Sequence, residues 1–232
     1  MIAAAGAAGV VLVGALAHGT YHRNSPVFGH ALGSLPLAAP GERIVALTFD
    51  DGPNPEATPR ILDALAASGT KATFFLLGRH VERWPALAER VADEGHVVGN
   101  HGWHHRKLHT QGPASVRRDL ELGTTAIVGA TGVRPTVFRA PHGFRAPWVT
   151  AIARSLGQRT IGWSLGVWDT ALPGAEVIVE RTVNGARPGS ILLLHDGDGY
   201  DPAGDRLQTA AAVPQIVKAL GGRGYRFVGV PA

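Results

Sequence analysis

The sequence predicts an α/β protein built as an incomplete (β/α)7 barrel, and three observations point to this fold. Strand-like and helix-like segments alternate from Arg43 to the end of the chain, a pattern typical of parallel sheets and barrels. Seven such units fit between residues 43 and 232, which suits a compact barrel better than a doubly wound sheet. Polar clusters follow five of the predicted strands, where both architectures place their sites.

The predicted strands are short runs rich in apolar and β-branched residues. The run at 191–194 is apolar throughout, as expected for a parallel strand that is buried on both faces. In chain order, the strands are expected at 44–49, 71–77, 96–99, 136–139, 159–163, 191–194 and 225–230.

Each predicted helix lies between two of these strands. Gly69 and Gly95 follow the first two helices, and glycine commonly ends a helix because it adopts the left-handed conformation at low cost. The helices are expected at 55–68, 81–94, 115–128, 147–156, 176–184 and 207–220.

The N-terminal stretch 1–17, MIAAAGAAGVVLVGALA, is uncharged and consists of apolar or small residues. Its length and the small-x-small sequence Ala15-Leu16-Ala17 predict a signal peptide or membrane anchor, although a basic segment before it is missing. A buried helix packed on the domain is the alternative. Residues 18–42 have no clear period and are expected to form a connector. The protein is therefore expected to be extracellular or in the cell envelope, with possible membrane association through residues 1–17.

Composition excludes some classes of partner and site. The 232 residues carry a net charge of +4 without a run of five Lys or Arg residues, so no nucleic-acid partner is expected. No cysteine is present, which excludes disulfides and thiolate metal ligands. The oligomeric state is not indicated.

Two adjacent acids, Asp50 and Asp51, end the first predicted strand and are followed by Gly52-Pro53. Successive side chains of a strand point to opposite faces, so the two acids aim in different directions. Two ionised carboxylates this close repel each other, so a cation or a shared proton is expected beside them. One acid can then bind a metal ion while the other faces the reacting atoms.

His101 and His105 follow the third predicted strand and are four residues apart, a spacing that places both imidazoles on one side of a helical turn. With Asp51 they form a set of two histidines and one carboxylate, which suits Zn²⁺ with open positions for water and substrate. A pair of surface histidines is the alternative. The neighbouring acids favour a divalent metal, expected to be Zn²⁺, with Co²⁺, Ni²⁺ and Fe²⁺ as alternatives.

Asp50 is placed to act as a general base toward a water whose pKa a metal ion has lowered. His195 ends a different predicted strand and could protonate a leaving group, although it could also bond a backbone carbonyl. Arg139 would fix the orientation of Asp50 if it lies beside it, or else be a surface cation. The remaining histidines with no partner pattern are expected at the surface or in packing: His18, His22, His30, His80, His96 and His109.

Over residues 43–230 the chain resembles the polysaccharide deacetylases of carbohydrate esterase family 4. Residues 48–53 (TFDDGP) match the first motif of that family in full. Residues 101–105 (HGWHH) match the second, H-[ST]-x-x-H, except that Gly102 replaces the hydroxyl residue that supports the loop. Residues 139–143 (RAPHG) are similar to the third motif, R-x-P-[YFH]-G, and 193–195 (LLH) are similar to the fifth, L-x-H.

The fourth motif departs from the family pattern. The usual D-x-x-D-W reads GVWDT at residues 166–170. Asp169 keeps the second acid, whereas Gly166 and Thr170 replace the first acid and the tryptophan. Trp163 or Trp168 is expected to supply the missing wall of the site.

The resemblance implies a distorted, incomplete (β/α)7 barrel over 43–232 and hydrolysis of N-acetyl groups on the aminosugars of a cell-wall or chitin-like polysaccharide, with release of acetate. The implied metal ligands are Asp51, His101 and His105. The implied catalytic residues are Asp50 as base, His195 as acid, Arg139 as the tether of the base and Asp169 as the residue that tunes the acid. The implied substrate contacts are the backbone N–H of His142 at the oxyanion, Leu193 at the acetyl methyl group, and Trp163 and Trp168.

Other functions remain open on the sequence alone. O-acetyl-xylan esterase and formamide hydrolase activity belong to the same chemistry, and a catalytically inactive glycan-binding module would keep the fold. A non-haem iron oxygenase also uses two histidines and one carboxylate. Retention of every implied acid, base and ligand disfavours the binding module, and the presence of Asp50 and His195 favours hydrolysis over oxygenation.

Overall fold

The computed structural model describes the backbone of residues 2–232 and the side chains of residues 11–232. The strands are β1 (Ile44–Asp50), β2 (Thr73–Leu76), β3 (Val97–Asn100), β4 (Val137–Phe138), β5 (Arg159–Thr160), β6 (Leu165–Gly166), β7 (Ser190–His195) and β8 (Arg226–Phe227). The helices are α1 (Ile2–Tyr21), α2 (Ala57–Ala67), α3 (Gly78–Arg83), α4 (Pro85–Asp93), α5 (Pro113–Thr131), α6 (Val149–Ser155), α7 (Ala175–Gly185) and α8 (Leu207–Gly222).

The strands form one curled parallel sheet in the order β5-β4-β3-β2-β1-β7-β6, and β8 pairs with the start of β1. Within the described residues no pairing joins β5 to β6, so the barrel stays open there. The chain therefore has the incomplete (β/α)7 barrel that the sequence predicts, and the carboxyl ends of its strands share one edge.

Side chains alternate along the central strands between two buried layers. Phe49 of β1 belongs to the main core between the sheet and the helices. Ala46 of β1 and Ile191 of β7 belong to a second cluster inside the curl of the sheet, to which no helix contributes. Since residues two apart in a strand share a face, the inward rows of these strands end at Asp50 and His195.

Three details differ from the prediction. The helix expected at 81–94 is two helices, α3 and α4, because the chain turns at Trp84 and α4 begins at Pro85, where proline has no helical N–H bond to lose. The strand expected at 225–230 has only two residues in the sheet. β6 was not predicted, since a strand of two residues leaves no alternating pattern to detect.

The segment expected to be a connector lies against the barrel. Leu32 and Leu35 are buried in the inner cluster, and isolated bridges join Leu32 to Ile161 and Ser34 to Ser190. Residues 31–35 therefore bridge from the end of β5 to the start of β7 and cover part of the open side of the barrel, where β5 and β6 do not pair.

The predicted signal peptide or membrane anchor falls within α1, and its Met1 and the side chains of residues 2–10 lie outside the described part. Val11, Leu12 and Val13 of α1 are exposed. Among the described residues, no helix has both the length and the apolar character needed to cross a membrane.

Candidate active site

The predicted metal ligands come together at the carboxyl edge of the sheet. His101 follows β3, and its Nε2 lies 3.4 Å from Oδ1 of Asp51. Nε2 of His105 lies 3.2 Å from the same oxygen. Adjacent ligand atoms around one tetrahedral zinc ion are roughly 3.3 Å apart. Among the described side chains this is the group of three whose ligand atoms all lie within 4.8 Å of one another.

The environment of these atoms fits a bound cation. Oδ1 of Asp51 is buried and makes no hydrogen bond, so one acceptor at the centre of the cluster lacks a donor. Nδ1–H of His101 donates to the Arg139 carbonyl at 2.8 Å, which leaves Nε2 as the unprotonated nitrogen. The three side chains therefore have the donor atoms, burial and orientation that a divalent metal needs.

The carboxylates and imidazoles of this group shift one another's pKa values. Burial lowers the pKa of His105 to about 3, so that imidazole is neutral at pH 7, as a ligand must be. Burial also acts to lower the pKa of His101, but Asp50 and Asp51 outweigh it and raise that pKa. For Asp51, burial acts to raise the pKa, and the nearby His105 and His101 lower it overall.

Asp50 lies beside the predicted metal ligands, and Arg139 fixes its carboxylate. Nη1–H of Arg139 donates to Oδ1 of Asp50 at 2.7 Å and to Oγ1 of Thr48 at 2.7 Å. Nη2–H of Arg139 donates to the Gly162 carbonyl at 2.9 Å. The guanidinium is fully buried and lies 4.2 Å from the centre of the Phe75 ring, so the carboxylate has a fixed orientation.

His195 is the residue opposite Asp50 in the pairing of β1 with β7. Its Nδ1–H donates to Oδ1 of Asp169 at 2.9 Å. Oδ2 of Asp169 accepts from the backbone N–H of His195 at 2.8 Å and from Thr209 at 2.9 Å. Burial alone would lower the pKa of His195, but Asp169, with Asp51 and Asp50 further off, raises it to about 9. The imidazole is therefore protonated at neutral pH, and its Nε2–H is available to donate a proton.

Several residues of the site adopt a left-handed backbone conformation that side chains usually avoid. Asp51, His105, His142 and Trp168 have φ values of 74°, 58°, 61° and 58°. Such conformations cost on the order of 1–3 kcal/mol each and cluster at functional sites. All four residues line the same cleft.

The cleft has a volume of about 660 Å³ and is lined by every predicted site residue except Arg139, which lies beneath Asp50. Leu193 is nearly buried in its floor, and Trp163 and Trp168 lie in its wall. Trp168 is 75% exposed. Gly166 and Thr170, where the fourth motif departs from the family pattern, line the cleft as well.

Two supporting residues were missed from the sequence. His80, expected at the surface or in packing, is buried, and its Nδ1–H donates to the Asp51 carbonyl at 2.7 Å. Asp119 of α5 accepts from the backbone N–H of Trp103 at 3.0 Å and bonds Nδ1 of His104 at 2.5 Å. A Cβ on Gly102, which has a φ of +79°, would lie 2.5 Å from Oδ2 of Asp119. Asp119 therefore occupies the space beside Gly102. It supports the metal loop, residues 101–105, which carries two of the predicted ligands.

A loop after β7 covers one side of the cluster. Arg206 donates to the Gly197 carbonyl at 2.8 Å and to Asp198 at 2.6 Å, which fixes the loop. Tyr200 places its hydroxyl 3.1 Å from Nε2 of His142 and its ring 5.3 Å from that of His105. No motif pointed to Tyr200, although it stands only five residues after His195.

Comparison with known proteins agrees with this geometry. A family model described as polysaccharide deacetylase matches residues 38–161. A peptidoglycan-N-acetylglucosamine deacetylase of Bacillus cereus is 39% identical over 194 residues, which are 82% of this chain and 87% of that protein. A chitooligosaccharide deacetylase of Rhizobium leguminosarum bv. trifolii is 38% identical over 200 residues, which are 84% and 93% of the two chains.

The fold is similar to that of solved relatives. The structure of a peptidoglycan N-acetylglucosamine deacetylase in complex with an N-hydroxybenzamide superposes with a TM-score of 0.80 at 33% identity, over 87% of this chain and 91% of that one. The incomplete barrel and the resemblance to the family are thereby confirmed. The chain belongs to the polysaccharide deacetylase family.

Proposed function

We propose that this protein is a metal-dependent hydrolase that removes N-acetyl groups from the aminosugars of a cell-wall or chitin-like polysaccharide. One observation carries the proposal: a carboxylate fixed by the buried guanidinium of Arg139 and an imidazole fixed by the buried carboxylate of Asp169 lie opposite each other on β1 and β7, in the cleft that holds the three ligands. Asp50 is held by Arg139, and His195 is held by Asp169. An amide bond needs a base for the attacking water and an acid for the leaving nitrogen. The arrangement supplies both.

Asp51, His101 and His105 would hold the metal ion, and Zn²⁺ is the expected ion. When bound, it supplies a Lewis acid for the amide oxygen and eases deprotonation of water. Asp50 takes the proton of the attacking water as the new C–O bond forms at the acetyl carbon. Since Arg139 fixes Oδ1, the other oxygen of Asp50 faces His101, whose Nε2 lies 3.8 Å away.

The tetrahedral oxyanion needs donors beside it, and the backbone N–H of His142, a residue that lines the cleft, is the proposed donor. His195 then protonates the leaving nitrogen through Nε2 as the C–N bond breaks. The products are acetate and a free amine on the sugar. Leu193 lies beside the acetyl methyl group.

The location follows from the substrate. Cell-wall and chitin-like polymers lie outside the cytoplasm, and residues 1–17 have the apolar pattern of an export signal or anchor. We therefore propose that the protein acts in the cell envelope or outside the cell.

Acetate release tests the proposal. The protein is stripped of metal with a chelator, reloaded with Zn²⁺ and assayed on chitooligosaccharides, peptidoglycan and acetylated xylan. We expect acetate and an equal amount of new amine from an aminosugar substrate, with loss of activity on stripping and recovery on reloading. Acetate from xylan alone would show an O-acetyl esterase instead. No acetate from any substrate would contradict the proposal and favour a glycan-binding module.

A further inference from the structure

Arg23 forms part of the cleft wall although it lies outside the family domain. It follows α1 and precedes residues 38–161, which match the family model. Its Nε–H donates to the Trp163 carbonyl at 2.8 Å, and Nη2–H approaches the Ser164 carbonyl at 3.5 Å. The guanidinium carbon lies 5.2 Å from the centre of the Trp163 ring. Arg23 is therefore packed on Trp163 at the edge of the cleft that contains the catalytic residues.

The segment that carries Arg23 is firmly attached to the barrel. Asn24 donates to the same Trp163 carbonyl at 2.9 Å. The buried Arg145 donates through its side chain to the Ser25 carbonyl at 2.8 Å and through its backbone N–H to the Thr20 carbonyl at 3.1 Å. The position of Arg23 is thus set by the fold and not by a freely moving tail.

The positive charge of Arg23 is not neutralised. Among the described residues, no carboxylate lies within ion-pair distance of its guanidinium. Burial lowers the pKa of Arg23, so the cation has given up part of its hydration without gaining a counter-ion. Gly166 lies against the same indole, because a Cβ there would be 3.2 Å from Nε1 of Trp163.

The cleft also extends beyond the reacting centre. Among the described residues, the large aromatic side chains that are exposed are Tyr21, Trp168 and Tyr200, and all three line this cleft. Aromatic rings on a cleft wall suit the apolar faces of sugar rings. A glycan that spans them would place a neighbouring sugar beside Arg23.

We propose that Arg23 binds a carboxylate carried by the glycan next to the reacting aminosugar, so that the preferred substrate is an acidic N-acetylated glycan. Arginine suits this task because its planar group can donate two parallel hydrogen bonds to one carboxylate. The inference rests on the proposed deacetylase function and adds its substrate class.

Two matched substrates test the assignment. One is a peptide-free oligosaccharide of alternating N-acetylglucosamine and N-acetylmuramic acid with free lactyl carboxylates, and the other is the same chain with those groups converted to amides. We expect the wild-type zinc enzyme to favour the acidic form in kcat/KM by about three- to tenfold at low salt, since charged hydrogen bonds on a partly exposed group are modest. Added salt is expected to shrink that preference.

Substitutions show whether the charge of Arg23, and not a general change in the structure of the cleft, sets this preference. Arg23→Gln is expected to bring the preference to about one, and Arg23→Lys to keep part of it. Arg60→Gln, at an exposed residue of α2, is the matched control and keeps the wild-type ratio. Gly166→Asp places a carboxylate on the same indole and is expected to reduce the preference independently of any change at Arg23.

The outcomes distinguish the two proposals. Equal turnover of both forms by the wild type, or an unchanged ratio in Arg23→Gln, would overturn the role of Arg23 and leave deacetylation intact. No turnover of either form, together with none of chitooligosaccharides, would contradict the deacetylase function itself.

Discussion

Asp50 and Asp51 are neighbours in the chain but have different partners. Asp50 ends an inward-facing row of β1 and is bonded to Arg139. Asp51 turns away at a φ of 74°, and its backbone carbonyl is held by His80. The two acids therefore have separate tasks, although each alone could be mistaken for a ligand.

Asp169 sets the protonation of His195, and its replacement should be visible in the pH profile. A pKa raised by a carboxylate partner means that His195 carries its proton below that pKa and loses it as the pH rises through it. In Asp169→Asn the charge is removed, so we expect the alkaline limb of the kcat/KM profile to move down by about 1–2 pH units. The measurement is kcat/KM between pH 6 and about 10 with the zinc enzyme.

The matched control for Asp169→Asn is Glu176→Gln, which removes a charge from an exposed position at the start of α7. It should leave the alkaline limb in place. An alkaline limb that stays at the wild-type pH in Asp169→Asn would show that His195 is not the group whose proton the reaction needs.

At the scale of elements, the pairing of parallel strands brings the site together. Asp50 faces His195 across β1 and β7, and Asn100, which precedes His101, faces Phe138, which precedes Arg139, across β3 and β4. A slip of one residue would turn these side chains to the other face of the sheet. The metal loop after β3 needs a further element, since Asp119 of α5 holds it.

Removal of Asp119 should therefore weaken metal binding without touching a ligand. In Asp119→Ala the Trp103 N–H and the His104 ring lose their acceptor, and we expect the Kd for Zn²⁺ to rise about 10- to 100-fold. Asp119→Asn keeps one acceptor and should give a smaller rise. The measurement is competition for Zn²⁺ with a chromogenic chelator.

Glu121→Gln, on an exposed position of the same helix, serves as the control for Asp119 and should bind Zn²⁺ as the wild type does. If Asp119→Ala folds with the wild-type affinity for Zn²⁺, the loop is held by other contacts and the role given to Asp119 is wrong.

At the scale of the whole molecule, the sequence predicted what depends on local pattern. The alternation of strands and helices and the motifs at the strand ends led to the fold and to the residues that now line one cleft. Contacts between the site and residues distant in the sequence could not be predicted from such patterns. Asp119 acts 16 residues from Trp103, and Arg23 acts 140 residues from Trp163. Gly102 was the one available signal, because its missing hydroxyl called for a substitute.

The N-terminal segment shows the same limit. Residues 18–42 lack periodicity and predict only a connector, yet they supply Tyr21 and Arg23 to the cleft and cover part of the open side of the barrel. Their role depends on contacts with β5, β7 and Arg145, which no local pattern records.

Asp50→Asn separates the role of Asp50 as base from that of Asp51 as metal ligand. Asparagine keeps the shape and can still accept from Arg139, but it cannot take a proton. We expect kcat for acetate release to fall about 10²- to 10⁴-fold while each chain still binds one Zn²⁺, with Asp63→Asn, at an exposed residue, unchanged in both. If the variant keeps more than about a tenth of the wild-type kcat, Asp50 is not the base. If it loses zinc together with activity, Asp50 is needed for metal binding, and the division of roles between the two acids is wrong.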